Sequence, residues 1–147
     1  MPAWKTFELA EPQMAQWGRE RLTSAVAYLG TVRADGSPRV HPVTPIISDT
    51  HLFVFMEPTS PKGKDIERNG HFTLHCSVEN NSGGQGEFYV RGKGRRVTDA
   101  ATRKEAVDAA IYGPADRYIL FILEVDFAFQ NIYKDGQPDV KRWSAEV

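Results

Sequence analysis

The chain has 147 residues, 41% hydrophobic and 25% charged, which is one ordinary globular domain: enough apolar surface for a core, too little length for a second catalytic domain. Eighteen basic against nineteen acidic side chains give a formal charge of -1, so no global field draws in nucleic acid or an anionic membrane, and any recognition of an anion must be local. A single cysteine, Cys76, excludes an internal disulfide and argues against a cysteine-built metal site; with no apolar run near the ~20 residues of a spanning helix and no signal-peptide pattern in MPAWKTFELAEP, the expectation is a soluble cytoplasmic protein.

An irregular arm carrying Trp4 and Phe7 precedes a short amphipathic helix over Glu11 to Leu22, with Met14, Trp17 and Leu22 near one face. Such an arm is expected to pack on a partner subunit. Ala25 to Arg33 reads as a strand, Asp35-Gly36 as a hairpin turn, and Arg39 to Ile47 as the returning antiparallel strand. Pro42 and Pro45 donate no backbone N–H, so this strand belongs at an edge or carries a bulge. His51 to Met56 is a third strand, and it runs into a polar, lysine-bearing turn. There Ser60 is placed to cap a helix, Pro61 suits its first position, and Asp65, Glu67 and Asn69 carry it to Gly70.

Phe72 to Val78 is a fourth strand, and Glu79 to Gly86 (ENNSGGQG) is a flexible loop. Glu87 to Val97 is a fifth strand with Phe88, Val90, Gly92 and Gly94 on one face, where two glycines leave room for something flat or for another backbone. Asp99 caps an alanine-rich helix running to about Tyr112 and ended by Gly113-Pro114. Tyr118 to Phe129 is the longest strand, apolar on both faces and then alternating; the last hairpin turns at Asp135-Gly136 and returns through Val140 to Trp143. Six to seven antiparallel strands with short helices between them predict a mainly β (α+β) fold, a closed or nearly closed barrel without exposed edges, with a sandwich as the alternative.

The chemistry narrows by elimination. His71 and His75 are four apart on a strand, where four residues span roughly 13 Å, too far for one metal ion. Cys76 sits on the face opposite His75, lacks an adjacent base, and reads as a small core residue. Arg91, Lys93, Arg95 and Arg96 read as a solvated face, since nothing interleaves them with exposed aromatics as a nucleic-acid platform requires. What survives is the turn, where free N–H groups of the first helical turn, the Ser60 hydroxyl and the Lys62 ammonium converge on one anion. A surface turn with a solvated lysine is the alternative reading. With the proline-broken strand and the glycine-bearing strand, the turn is expected to line one pocket for a flat ring with a phosphate tail.

Taken together, LGTVRADGSPRVHPVTPII, FVFMEPTSPKGKDIERN and GEFYVRGKGRRV resemble the flavin-binding split-barrel family typified by pyridoxamine 5′-phosphate oxidase. The resemblance implies a split β-barrel of six to seven strands with short peripheral helices. It also implies an FMN-dependent oxidoreductase acting on a small-molecule substrate, and a homodimer with its cofactor sites at the interface. By the same resemblance Ser60 and Lys62 hold the FMN phosphate, while His41, Val43, Thr44, Phe55, Met56 and Glu87 border the flavin. His41 stands where an arginine is often found, Pro61 where a second basic residue is, and Glu87 where a glutamine is; an acid at that last position disfavours a reduced, anionic flavin. The oxidase itself has further basic and histidine residues at its C-terminus, whereas this chain stops soon after Lys141-Arg142-Trp143. Some branches of the family take a deazaflavin coenzyme or haem instead, so the alternative function is non-catalytic binding or storage of a flavin, deazaflavin or haem.

Overall fold

The computed structural model describes residues 2–81 and 85–145. Residues 82–84 of the expected ENNSGGQG loop lie outside the described residues. Among the described residues, eight strands form one antiparallel sheet: β1 (Ala27–Val32), β2 (Pro38–Val43), β3 (Ile46–Ile47), β4 (Leu52–Met56), β5 (His71–Cys76), β6 (Glu87–Arg96), β7 (Ile119–Lys134) and β8 (Gln137–Ser144). Their order is β2-β1-β5-β6-β7-β4-β3, with β8 also on β7. Four helices among the described residues flank the sheet: α1 (Trp4–Ala10), α2 (Pro12–Thr23), α3 (Pro61–Arg68) and α4 (Ala100–Ala109).

β7 is the spine. Its 16 residues are long enough to pair β4 over Ile119 to Ile122 and β8 over Phe127 to Lys134 on one side, while β6 runs along the other. A register shift between Arg91 and Gly92 passes from Phe127 to Val125 and leaves Asp126 unpaired, a bulge that bends the sheet. The two ends of the path, β2 and β3, are joined by Thr44 and Pro45, where the expected single strand from Arg39 to Ile47 breaks. β3 pairs β4 instead of continuing along β1. Neither residue extends a ladder, because Pro45 has no N–H to give. The expectation that the proline-bearing strand lies at an edge holds for β2.

The arm is not irregular and does not wait for a partner. It forms α1, and Trp4 and Phe7 are both fully buried in this chain's own core. Phe7 packs on Trp143 at 5.2 Å, on Trp4 edge-on at 5.2 Å and on Phe88 at 6.2 Å, so the N-terminus and β8 close one end of the barrel together. A second, smaller cluster of Ile46, Phe53, Phe55, Val97, Leu120 and Ile122 lies on the other face of β4 and β7, beneath Ala106 of α4. α4 starts as expected, with the Asp99 carboxylate accepting from the Thr102 N–H at 2.9 Å, but ends at Ala109, short of Gly113-Pro114.

The paired glycines of β6 do not open a slot. A Cβ on Gly92 would stand 1.9 Å from the Glu124 carbonyl oxygen at the bulge, and one on Gly94 would stand 2.8 Å from Ile66 Cγ2 of α3. Gly92 admits another backbone, the second of the two uses read from the sequence, whereas Gly94 admits side chains, Ile66 of α3 and Leu123 of β7.

Candidate functional site

α3 is placed by a buried carboxylate. Asp65 Oδ2 accepts from the Thr31 hydroxyl of β1 and from Arg39 Nε of β2, both at 2.7 Å, and Oδ1 accepts from Arg68 Nη2 at 2.8 Å. Burial works against the charge, yet these donors outweigh it and hold Asp65 below the ordinary carboxylate range. Arg68 also donates to the Val32 carbonyl beside the first hairpin. With Arg68 tied there and Asp65 tied to Thr31 and Arg39, the helix is fixed against the first hairpin, and its first turn meets Met56, Ile119 and Phe121 at Gly63.

At that N-terminus, Lys62 Nζ donates to Ser60 Oγ at 3.0 Å. Ser60 is buried, and its hydroxyl caps no backbone N–H as the sequence suggested, but takes the lysine proton instead. Burial alone lowers the Lys62 pKa from the ordinary lysine value, and among the described residues no carboxylate lies within ion-pair distance of it. Lys64 N donates to the Ser60 carbonyl, while the Lys62 and Gly63 N–H groups precede the first intrahelical acceptor. A desolvated ammonium without a counter-charge, beside a hydroxyl and two free N–H groups, fits a phosphate oxygen.

Around this anchor the structure sorts the other residues. His41 and Val43 alternate with Arg39 on the face of β2 that α3 covers, and Thr44 is exposed at the break after β2. Met56 lies under the helix, where its Sδ would stand 2.9 Å from a Cβ on Gly63. Phe55 points the other way, into the smaller cluster, with the Arg103 guanidinium 5.1 Å from its ring centroid. Glu87 is not brought to the anchor. It pairs with Asn131 across β7 while Met56 and Phe55 pair with Ile119 and Leu120, about 36 Å of extended strand away. At the other end of β6, Gly94 does reach α3 and stands against Ile66.

Glu87 has a partner that sequence spacing did not reveal. Its Oε2 lies 3.1 Å from His75 Nε2, and His75 Nδ1 lies 2.6 Å from the Cys76 carbonyl. Two acceptors on two ring nitrogens are satisfied only by the imidazolium. The Cys76 side chain, the Cys76 carbonyl and Glu87 raise the His75 pKa to about 9 against the cost of burial. The imidazolium thus sets a positive charge beside the Glu87 carboxylate. Register alone makes this pair, since β5 and β6 set His75 opposite Tyr89, two residues from Glu87. Cys76 is a buried core residue as expected, 1% exposed, its sulfur accepting from the Phe88 N–H at 3.4 Å, but it does not lack an adjacent base: against the cost of burial, His75, the Phe88 N–H and Arg21 hold its thiol below the ordinary value.

The basic run is solvated as expected, with Arg95 and Arg96 paired to Glu124 and Glu67. It is interleaved with aromatics after all: Tyr89 shares its strand face, stacks on Phe129 at 5.0 Å, and Arg91 lies 4.2 Å over Phe127. No helix among the described residues is long and apolar enough to cross a membrane.

Several solved structures share the fold. A haem-binding protein from Mycobacterium smegmatis matches with a TM-score of 0.64 at 17% identity over 85% of this chain, which spans 57% of that one. General stress protein 26 from Bacillus anthracis matches with a TM-score of 0.62 at 18% identity, over 87% of this chain and 97% of that one. A general stress protein 26 relative of the pyridoxinephosphate oxidase family from Clostridium acetobutylicum matches with a TM-score of 0.61 at 12% identity, over 93% and 94%. No curated protein sequence matches the chain. At the level of sequence, the model of the pyridoxamine 5′-phosphate oxidase family matches residues 14–123, which include every strand from β1 to β6 and the Ser60–Lys62 anchor. The chain belongs to the pyridoxamine 5′-phosphate oxidase family of split barrels.

Proposed function

We propose that this protein is an FMN-dependent oxidoreductase acting on a small-molecule substrate in the cytoplasm. The observation that carries the reading is Lys62: a partly buried ammonium whose only hydrogen-bond partner in the described residues is the Ser60 hydroxyl, at the start of a helix. Ser60, Lys62 and the first-turn N–H groups hold the phosphate, with His41, Val43 and Met56 on the same side of the barrel. The cofactor supplies hydride chemistry that no side chain here offers. The protein's part is to bind, orient and exclude water.

The reading requires a homodimer. Glu87 and the anchor stand far apart along β7 in one chain, so a second copy brings its Glu87, paired with His75, to the ring held by the first. A test follows directly. The purified protein is titrated with FMN in parallel with Lys62→Ala, and the variant is expected to bind more weakly by roughly 1.5 to 3 kcal/mol, the scale of a charge-assisted hydrogen bond. Equal affinity removes Lys62 from the site.

A second reading is favoured by the likeness to the haem-binding protein of Mycobacterium smegmatis: the same barrel stores or carries haem, or a deazaflavin, without turnover. The absorption spectrum separates them. Flavin bands that co-elute with the protein and bleach on addition of a nicotinamide nucleotide support the oxidoreductase, whereas a Soret band supports the carrier.

A further inference from the structure

On the face of the sheet away from α3, the register aligns rows of side chains across the strands. One row runs Tyr28, His75, Tyr89, Phe129 and Arg142. The next runs Val40, Gly30, Thr73, Arg91 and Phe127. The second row is low in the middle and high at both ends, and an open cleft of about 1000 Å³ lies over it. From β2 to β6 the floor spans three strand spacings, roughly 14 Å, which is room for a bicyclic or tricyclic ring.

Gly30 is the informative residue of that floor. Its backbone is extended, and a Cβ there would meet only ordinary contacts, the nearest being the Thr73 carbonyl oxygen at 3.6 Å. The fold does not need this glycine, unlike Gly92 and Gly94 of the same sheet. A glycine in mid-strand costs about 0.5–1 kcal/mol relative to alanine and marks a place where something approaches the backbone closely.

The walls say what approaches. Phe127 carries the Arg91 guanidinium 4.2 Å from its ring centroid, a surface on which a planar ring lies. Lys93 and His71 face each other at the next ladder step and also line the cleft. Arg39 is held by Asp65, but Arg91 and Lys93 have no carboxylate within ion-pair distance among the described residues. Against these two cations, the one carboxylate among the described residues of the lining is Asp126, released from the ladder at the bulge.

We propose that this cleft binds a planar aromatic anion, its ring on the bare backbone of Gly30 against Arg91 and Phe127 and its acidic group toward Lys93. None of the eight residues assigned to the flavin lines the cleft, so the proposal does not rest on the flavin reading.

The test uses the full chain and naphthalene-2-sulfonate, with naphthalene-2-methanol and methanesulfonate as the ring without charge and the charge without ring. Calorimetric titration is expected to show saturable binding of the sulfonate, with both comparators weaker by roughly tenfold or more. Gly30→Val puts a side chain on the floor from a Cβ that meets only ordinary contacts, and is expected to abolish binding while the protein stays folded, with Gly30→Ala as the smaller control. Arg91→Gln and Lys93→Gln, both at exposed positions, are each expected to weaken it roughly fivefold, and Lys62→Ala is expected to leave it unchanged. The proposal is overturned by equal binding of the neutral alcohol, by full affinity in Arg91→Gln and Lys93→Gln, or by loss of binding in Lys62→Ala. It is equally overturned if the sulfonate does not bind and Gly30→Val turns a dimer into a monomer in gel filtration, which makes the face a contact between copies.

Discussion

Gly30 and Gly92 are the same residue on neighbouring parts of one sheet, and the structure assigns them opposite consequences. Gly92→Ala drives a methyl group into the Glu124 carbonyl at the bulge, and a cost of roughly 1–3 kcal/mol is expected in urea or thermal unfolding. Gly30→Ala meets ordinary contacts and is expected to be neutral or to stabilise by about 0.5 kcal/mol. His75 supports a pH prediction at the same scale. Its folded pKa of about 9 lies above the ordinary 6.5, so its contribution is complete below pH 6.5 and is lost as pH rises through 9. The stability difference between the protein and His75→Gln is therefore expected to shrink between pH 6.5 and 9 in midpoint measurements, and proton NMR of the ring should report the titration directly. In the sequence, two glycines on one face were legible as room for a flat group or for another backbone, but not which of the two, because that depends on an element from elsewhere in the chain.

α3 shows how an element is specified twice. Its start was legible locally, since Pro61 suits the first turn and the strand before it ends at a polar run. Its direction was not legible, because that rests on Asp65 reaching Thr31 and Arg39, 34 and 26 residues earlier. Asp65→Asn is expected to cost roughly 2–3 kcal/mol in unfolding, the scale of hydrogen bonds to a charged group, and to weaken FMN binding by misdirecting Lys62. Since the folded pKa of Asp65 is lowered, its stabilisation is present above the ordinary 3.8 and is lost as pH falls below it. The acid limb of an unfolding profile should be flatter in Asp65→Asn than in the unaltered protein.

For the whole molecule, β7 decides the arrangement. Because it carries β4 at one end and β8 at the other, the Ser60–Lys62 turn that follows β4 and the His75–Glu87 pair belong to opposite ends of the sheet, and the proposed flavin site draws on both only if two copies combine. Sedimentation is expected to show a dimer, and variants that remain folded but monomeric are expected to lose retained flavin in gel filtration. The N-terminal aromatics do not supply that contact, since Trp4 and Phe7 belong to the chain's own core.

What the sequence determined by itself was local: strands from their period of two, hairpins at Asp35-Gly36 and Asp135-Gly136, an edge strand from its prolines, and a helix starting at Pro61 beside a serine and a lysine. Both hairpin glycines take positive φ, at 88° and 76°, which is why two letters sufficed to place them. Only the tertiary structure decided that Glu87 is paired with His75, that Asp65 fixes the helix, that the glycines of β6 are filled and that Gly30 is bare. Each of these depends on strand register and on side chains from distant segments, and a one-residue slip of register would turn every one of them to the other face.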